Sequence, residues 1–251
     1  MSATIALGKR GLREALRQPD ALFMTMFIPL FFLVVNTGQA AEIFPSESTE
    51  FLKGQGYAAF QLPITLLLAA SFGMAALFLV EEIEGGYFDK LRAIPVPRYA
   101  IVLGRLVTEG AKGIVLSTVI VLLALPFGIT IASGPLGFVL LVLLSALWGV
   151  VYAGFMQLIA LKTRSAAATN SGGLIFFPLL FLTPNFVPRE LLTEPMEVAA
   201  TVNPVTYLME SLRSLILDDL DWGEILPGFG VVLALGVVML FLNVRTIKNY
   251  D

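Results

Sequence analysis

The chain has 251 residues, of which 57% are hydrophobic and only 14% are charged. Soluble domains carry about 25% charged residues, so this composition and several apolar runs of about 20 residues indicate one polytopic membrane domain. Cysteine and histidine are absent, which excludes disulfides, Ser-His and Cys-His nucleophile pairs and histidine metal ligands. The formal net charge of −3 argues against nucleic acid as a partner.

The first 20 residues form a short basic lead. Basic residues and a few leucines near helical spacing predict an amphipathic helix that lies on the membrane surface. A solvated tail is the alternative. The basic residues of the lead are Lys9, Arg10, Arg13 and Arg17.

Residues 21–37 predict a first membrane span, kinked or loosened at Pro29. The same stretch resembles the apolar core of a signal peptide, with Gly38-Gln39-Ala40 as a loose cleavage site. The charged lead is long for a signal peptide and more apolar segments follow, which favours a span.

Five further apolar segments bring the prediction to six transmembrane helices. Small residues recur within the second and fourth segments and at the start of the fifth, where they allow neighbouring helices to approach closely. The segments are residues 57–80, 112 or 113 to 131, 136–161, a fifth that follows the small-residue run 166–173 and ends near 186, and 228–244.

The longest charged segment between two apolar ones is residues 81–105. We expect the glycine pair 85–86 to break the chain and the prolines at 95 and 97 to stop a short helix after it. That helix would lie outside the bilayer with an apolar face that needs the membrane surface or a partner's groove to cover it. An ordinary solvated loop is the alternative. The apolar face consists of Tyr87, Phe88, Leu91 and Ile94.

The long connection at residues 187–227 is acidic. Asn203 followed by Pro204 is typical of an N-cap and the first helical position. Apolar residues from Tyr207 to Ile216 then fall on one side of a helix, which predicts a helix lying in or dipping into the outer interface.

The distribution of Lys and Arg predicts the orientation. Four lie in the lead, five in residues 81–112, two in residues 162–164 and two after the last span, so 13 of the 16 fall on one side. The opposite side has Lys53, Arg189 and Arg213. The positive-inside rule then places both termini in the cytoplasm.

Polar residues within the predicted spans are few, and none near mid-span is ionisable. A mid-span charge costs about 2.5–3.5 kcal/mol on insertion scales and usually marks ion or proton coupling, so its absence disfavours a proton-driven antiporter. Asn36, Gln61 and Thr65 are candidates for contacts with an amphipathic cargo. Hydrogen bonding between helices is the more ordinary role for such residues.

Two separated motifs resemble those of ABC-2-type exporter permeases, the daunorubicin-resistance-like membrane subunits. The first follows the pattern E-x-E-x-G-x-x-[ED]-x-L-x-x-x-P-[VI]-x-R-x-x-x-x-x-G-[KR], and the second follows NP-x-TY-x-x-E-x-x-R. The Arg17-Gln18-Pro19 lead also fits, whereas Ile83 stands where the family often has arginine. The matching residues are Glu82, Glu84, Gly86, Asp89, Leu91, Pro95, Val96, Arg98, Gly104 and Arg105 in the first motif, and Asn203, Pro204, Val205, Thr206, Tyr207, Glu210 and Arg213 in the second.

The resemblance implies an all-α membrane protein with an N-terminal interfacial segment (residues 1–20) and an ABC-2-type transmembrane domain (residues 21–251). It implies a cytoplasmic coupling helix at 81–93, a smaller contact at 162–165, and outer re-entrant helices near 187–192 and 204–217. The implied ATPase-coupling residues are Glu81, Glu82, Glu84, Tyr87, Phe88, Asp89, Leu91, Arg92, Arg98, Lys162 and Arg164. The implied outer-gate residues are Asn203, Pro204, Tyr207, Glu210 and Arg213.

The function implied is the permease subunit of an ATP-binding-cassette exporter, which moves hydrophobic or amphipathic cargo outward. The permease would lie in the cell membrane, in contact with membrane lipids. The sequence lacks a G-x-x-x-x-G-K-[ST] phosphate-binding loop, so ATP and Mg are expected on a separate ATPase subunit. No cofactor, metal or catalytic residue is expected on this chain. Two permease copies, as a homodimer, would pair with two ATPase copies.

Two other function classes remain open. An ATP-independent secondary transporter or channel would be favoured by mid-span charges or by broken spans in repeated halves, neither of which is clear. An enzyme acting on lipids would need clustered acid, base or metal ligands near the interface, and the glutamates at 81, 82 and 84 have no His or Cys partners.

Overall fold

The computed structural model describes residues 3–17, 19–72, 75–93 and 97–249, and every regular element within these ranges is helical. Single 3-10 turns occur at residues 50–52, 125–127 and 189–191. The α-helices are α1 (Ala3–Leu16), α2 (Pro19–Ala40), α3 (Tyr57–Ser71), α4 (Ala75–Glu84), α5 (Tyr87–Ala93), α6 (Arg98–Ala124), α7 (Gly134–Thr163), α8 (Ala166–Gly173), α9 (Phe176–Phe181), α10 (Glu194–Val202), α11 (Pro204–Leu217) and α12 (Trp222–Lys248).

Four of the described helices are long and apolar enough to cross a membrane: α2, α6, α7 and α12. They contain 22, 27, 30 and 27 residues, and a span needs about 20. The prediction of an all-helical membrane protein is confirmed at this level, but the count of six spans is not. The second predicted span forms two helices, α3 and α4, and the fifth forms the short pair α8 and α9.

α3 occupies the centre of the bundle. All but one of its 15 residues are buried, because α2, α6, α7 and α11 surround it. A helix that is apolar on every side is expected in such a place. Its polar side chains make hydrogen bonds to neighbours: the Trp148 indole nitrogen of α7 donates to the Ser71 hydroxyl at 3.0 Å.

The amphipathic helix predicted at the N-terminus is α1, and one of its sides packs closely against α6. A methyl group added to Gly104 of α6 would lie 2.7 Å from the Leu7 Cβ of α1. The Thr108 hydroxyl of α6 donates to the Gly8 carbonyl of α1 at 3.1 Å. Small residues therefore bring the two backbones together, as they do between membrane helices. α1 is therefore packed on the protein through this side.

The helix that contains the third predicted span begins earlier in the sequence than that span. α6 starts at Arg98, directly after Pro97, and continues through the charged residues that suggested a connection. Those charges are accommodated because they are paired: the Lys112 ammonium lies 2.5 Å from the Glu109 carboxylate, and Glu109 is buried. The two residues are three apart, a spacing that places them on one face of the helix.

The break predicted at Gly85-Gly86 is confirmed. α4 ends at Glu84 and α5 begins at Tyr87. Gly86 has a φ of +68°, a conformation that side-chain-bearing residues rarely adopt. Ile94 and the expected helix stop at Pro95 lie outside the described residues.

The bundle has two ends that differ in the contacts described below. The charged end contains α1, the last turn of α4, α5 and the start of α6. The cavity end contains the 3-10 turn at 50–52, the start of α3, the segment 182–193, α11 and the start of α12.

Candidate functional site

A network of charges joins four helices at the charged end. The Glu82 carboxylate, on α4, accepts a hydrogen bond from the Arg10 guanidinium of α1 at 2.6 Å. The same carboxylate forms a second ion pair with Arg105 of α6. Arg10 also donates to the Tyr87 hydroxyl at the start of α5, at 2.9 Å. One carboxylate therefore ties α1, α4 and α6 together, and Arg10 extends the link to α5.

The short helix α5 turns its apolar residues in two directions. Phe88 and Leu91 are only 1% and 7% exposed, because the chain's own core covers them. Tyr87, by contrast, is 40% exposed. The sequence predicted a face that needed the membrane or a partner to cover it, and for Phe88 and Leu91 that cover is intramolecular. The side chains of Asp89 and Arg92 lie outside the described residues.

The surface around α5 is what remains available to a partner. Exposed side chains there are Glu81, Glu84, Tyr87 and Lys90. The second predicted contact, residues 162–165, lies at the C-terminal end of α7, and α8, which follows it, packs against α4. Lys162 and Arg164 are both exposed. We call these six residues the docking face.

Arg98 has a contact that the sequence did not suggest. One of its guanidinium nitrogens donates to the Lys248 carbonyl at 3.1 Å, at the C-terminal end of α12. A cation is favourable there because the last carbonyls of a helix carry partial negative charge. Arg98 thus connects the start of α6 to the end of the last helix.

At the cavity end, three consecutive backbone carbonyls after α9 each accept one hydrogen bond from a side chain. Arg213 donates to Pro184 at 2.9 Å, and Gln61 donates to Asn185 at 2.9 Å. Tyr57 donates to Phe186 at 2.8 Å. Non-helical backbone inside a membrane protein must find partners within the protein. Side chains of α3 and α11 provide them for this segment.

The residues of the second motif, for which the resemblance implies an outer gate, form two groups. The N-cap prediction at Asn203 is confirmed, because its side-chain oxygen accepts from the Val205 amide at 3.0 Å and Pro204 follows as the first helical residue. The Asn203 amide nitrogen also donates to the Leu179 carbonyl of α9 at 2.5 Å. The Tyr207 hydroxyl donates to a carbonyl of α10, that of Thr201, at 2.8 Å. Asn203 and Tyr207 thus bind α11 to α9 and α10.

The second group contains Glu210 of α11, which forms an ion pair with Arg189, and Arg213. Arg189 donates to both oxygens of Glu210, at 2.9 and 2.5 Å, and its guanidinium carbon lies 5.4 Å from the centre of the Tyr207 ring. Burial raises the pKa of the Glu210 carboxyl, and the bonds from Arg189 oppose that rise. Arg213 lies deeper, with its guanidinium carbon 3.6 Å from the centre of the Phe60 ring.

The three residues suggested as cargo contacts belong to this same network. Gln61 donates to the Tyr57 hydroxyl as well as to Asn185, and its side-chain oxygen accepts from Asn36 at 3.3 Å. The Thr65 hydroxyl donates to the backbone carbonyl of Gln61. Both the nitrogen and the oxygen of the Gln61 side chain are therefore hydrogen-bonded within the protein. This is the hydrogen-bonding role that the sequence offered as the alternative to a cargo contact.

α11 and the first turns of α12 line an open cavity of about 840 Å³. The Arg189–Glu210 pair and Arg213 are among its lining residues. The structure therefore places three of the motif residues, Tyr207, Glu210 and Arg213, on one concave surface. Asn203 and Pro204 stand at the start of the same helix.

Sequence reasoning missed three residues that hold these sites together: Arg10, Tyr57 and Arg189. Arg10 was counted only as a basic residue of the lead. Gly8 and Gly11 lie three residues apart on one face of α1 and indicate close packing with another helix, but Arg10 is off that face and its local spacing does not indicate its partners. For Tyr57 and Arg189 the partners lie 129 and 21 residues away, and no local pattern indicates them.

Residues 2–217 match the sequence profile of the family described as ABC-2 type transporter. The chain belongs to the ABC-2 transporter family. This ABC-2 permease is 24% identical to the daunorubicin resistance ABC transporter permease protein DrrB1 of Streptomyces coeruleorubidus, over 257 aligned residues that cover 99% of this chain and 87% of the relative.

Membership of the ABC-2 family and the four long apolar helices make the chain a multi-pass membrane protein and the membrane subunit of a transporter. ABC-2 permeases normally work with an ABC ATPase and lack an ATPase motif of their own.

Proposed function

We propose that this permease is the membrane subunit of an ATP-driven exporter of hydrophobic or amphipathic cargo. The observation that carries the proposal is the network in which Glu82 joins α4 to α1 and α6, and Arg10 extends the link to α5. A force applied to α4 or α5 at the charged end passes through Arg10 to α1 and through Arg105 to α6. α6 is continuous for 27 residues, which is long enough to carry that movement across the membrane.

The proposed orientation places the permease in the cell membrane with its charged end in the cytoplasm. Thirteen of the 16 Lys and Arg residues then lie on the cytoplasmic side, together with both termini. α3 with α4, and α8 with α9, each serve as one crossing, which restores six crossings. α10 and α11 then lie on the outer side as the gate.

The docking face is the proposed contact with the ATPase. It mixes exposed acidic and basic side chains, which suits a partner of complementary charge. ATP and Mg are held by that partner, and the working unit contains two permeases and two ATPases. Export of amphipathic cargo is supported by the family resemblance and by the name of the relative, which is a daunorubicin resistance permease.

Co-purification with the cognate ATPase tests the proposal. The variant E81K/E84K reverses two charges of the docking face, and E42K/E47K reverses two exposed charges at the opposite end as a matched control. We expect wild type and E42K/E47K to retain the ATPase and to stimulate its hydrolysis, and E81K/E84K to lose both.

Equal retention by the two variants would contradict the location of the contact. A wild-type permease that never retains an ATPase, and that moves solute in liposomes by itself, would favour an ATP-independent transporter or channel.

A further inference from the structure

The N-terminal helix α1 has an exposed basic side. Lys9 and Arg13 are four residues apart, Arg17 follows after four more, and all three are exposed. Residues at intervals of four lie on the same side of a helix. The opposite side packs so closely against α6 that a methyl group added to Gly11 would lie 2.6 Å from the Thr108 hydroxyl oxygen. The three basic residues, which we call the basic face, therefore point away from the bundle.

The described part of the chain does not neutralise the basic face. Its three residues form no ion pair with a described carboxylate, whereas Arg10, on a neighbouring side of α1, pairs with Glu82. Eight residues of helix correspond to a rise of about 12 Å, so three positive charges lie within about that length. Such a row of charges attracts an anionic surface.

The contact with α6 indicates the depth of α1 in the membrane. About 20 residues of helix cross the hydrocarbon core of a bilayer. α6 and the 3-10 turn that extends it end at Phe127, and counting back about 20 residues reaches Thr108. α1 meets α6 at Gly104 and Thr108. The helix therefore lies at the boundary between hydrocarbon and headgroups at the charged end.

The other neighbour of α1 along the chain gives the same depth. α2 begins at Pro19, and its apolar window begins at Phe23, six residues after Arg17. Ile5, one turn before Lys9, is 48% exposed and adds an apolar group on the outer side of α1. Basic side chains beside apolar ones at headgroup depth are typical of helices that bind a membrane surface.

We propose that the basic face of α1 binds the headgroups of anionic phospholipids in the leaflet at the charged end. Arg13 and Arg17 each present a planar guanidinium that can donate two hydrogen bonds to one phosphate, and Lys9 adds a point charge. The lipid is then a partner of the charge network, because Arg10 and Glu82 join α1 to α4 and α6. This interaction goes beyond the proposed function and requires no particular cargo.

An acidic surface of an ATPase is the other occupant with a suitable charge. It fits less well, because α1 lies against two membrane helices at headgroup depth, where a soluble partner would have to displace lipid. The docking face, in addition, lies on other elements: α4, α5 and the C-terminal end of α7.

The test compares two quencher lipids that differ only in their headgroup. The chain has no cysteine, so a bimane label at Ala6→Cys, an exposed position of α1, reports the lipid next to the basic face. The labelled permease alone is placed in phosphatidylcholine nanodiscs that contain an equal small fraction of 5-doxyl-phosphatidylglycerol or 5-doxyl-phosphatidylcholine. We expect the anionic quencher to be at least about threefold more effective, since each basic residue near an anionic headgroup contributes about fivefold in affinity.

Charge-neutral variants of the labelled protein locate the interaction. K9Q/R13Q/R17Q removes the basic face, and K53Q/K90Q/K162Q removes three exposed cations on other elements as a matched control. We expect the first triple to be quenched equally by both lipids and the control to keep the wild-type ratio. Both triples should melt at the wild-type temperature, because substitutions of exposed residues rarely change stability. About 1 M salt should lower the wild-type ratio, because the Debye length falls to about 3 Å.

Three results would overturn the proposal. They are equal quenching of the wild type by the two lipids, a wild-type ratio in K9Q/R13Q/R17Q, and an equal loss of selectivity in the two triples. Absence of quenching by either lipid would also overturn it, since α1 would then lie away from the bilayer and the ATPase would be the better occupant. The assay contains no ATPase, so it can fail while the coupling proposal stands, and the reverse.

Discussion

The Arg10 guanidinium and the Glu82 carboxylate lie 2.6 Å apart, although 72 residues separate them in the chain. Arg105 reaches the other oxygen of the same carboxylate. This contact places the N-terminal helix α1, for which the sequence predicted a position on the membrane surface, beside α4 and the long helix α6. The central claim is that force from the ATPase enters the bundle here.

Replacing Arg10 by glutamine should have a large effect on permease-stimulated ATP hydrolysis and a small effect on the stability of the permease. The two side chains are 34% and 15% exposed, so the pair contributes only about 1 kcal/mol or less. We expect a melting temperature close to wild type and a clear fall in permease-stimulated ATP hydrolysis. Glu82→Gln should lower the melting temperature further, since it leaves two arginines without their carboxylate. Full stimulation by both variants would show that the network does not transmit force.

The close approach of α1 and α6 predicts a sharp contrast between two glycines. Gly104→Ala places a methyl 2.7 Å from the Leu7 Cβ, so one helix must move. Overpacking of this kind costs about 1–3 kcal/mol. Gly230→Ala, on α12, meets nothing within 4 Å and should be neutral or stabilising by up to about 1 kcal/mol. Thermal melting in detergent measures both, and similar melting temperatures would contradict the packing.

Tyr57→Phe should destabilise the cavity end without changing its shape. The substitution leaves the Phe186 carbonyl without its donor and removes the acceptor used by Gln61. A buried group left unsatisfied costs about 1–3 kcal/mol. Tyr99→Phe removes an exposed hydroxyl and should stay within about 0.5 kcal/mol of wild type. If the two variants unfold at the same temperature, the hydrogen bond from Tyr57 to the Phe186 carbonyl does not stabilise the protein.

Two helix caps should differ in strength. Asp221 caps α12 with one bond, from the Gly223 amide at 2.8 Å. Asn203 caps α11 and also donates to the Leu179 carbonyl. Loss of a cap costs about 0.5–2 kcal/mol, so Asp221→Ala should fall in that range and Asn203→Ala above it. Asn203→Asp keeps the cap and loses the donor, and it should lie between wild type and Asn203→Ala in the same melting assay.

Local chemistry in the sequence was a good guide to where helices begin and break. Asn203-Pro204 and Gly85-Gly86 are decided by hydrogen bonding and backbone freedom within a few residues, so both were predictable. Span boundaries were less predictable. Charges at Arg105, Glu109 and Lys112 suggested a connection before the third span, but pairing with distant or neighbouring partners lets them lie inside α6.

The sequence predicted some residues of each site but not the residues that they contact. The motifs indicated Glu82 and Glu210 but not their partners Arg10 and Arg189, because those contacts depend on how helices pack. For the same reason Leu91 was expected to face a partner, whereas the fold buries it in the chain's own core. Gln61 was suggested as a cargo contact because it is polar in an apolar span, and the structure shows that its amide group makes three hydrogen bonds within the protein.

The most direct measurement follows the cavity end while ATP is used at the charged end. The chain has no cysteine, so a single bimane label at Leu191→Cys, on an exposed lining residue, reports the cavity selectively. In nanodiscs with the cognate ATPase, the account predicts that ATP shifts the bimane emission, that the permease alone shows no shift, and that Arg10→Gln reduces it. An unchanged emission in a complex that actively hydrolyses ATP would contradict coupling between the two ends.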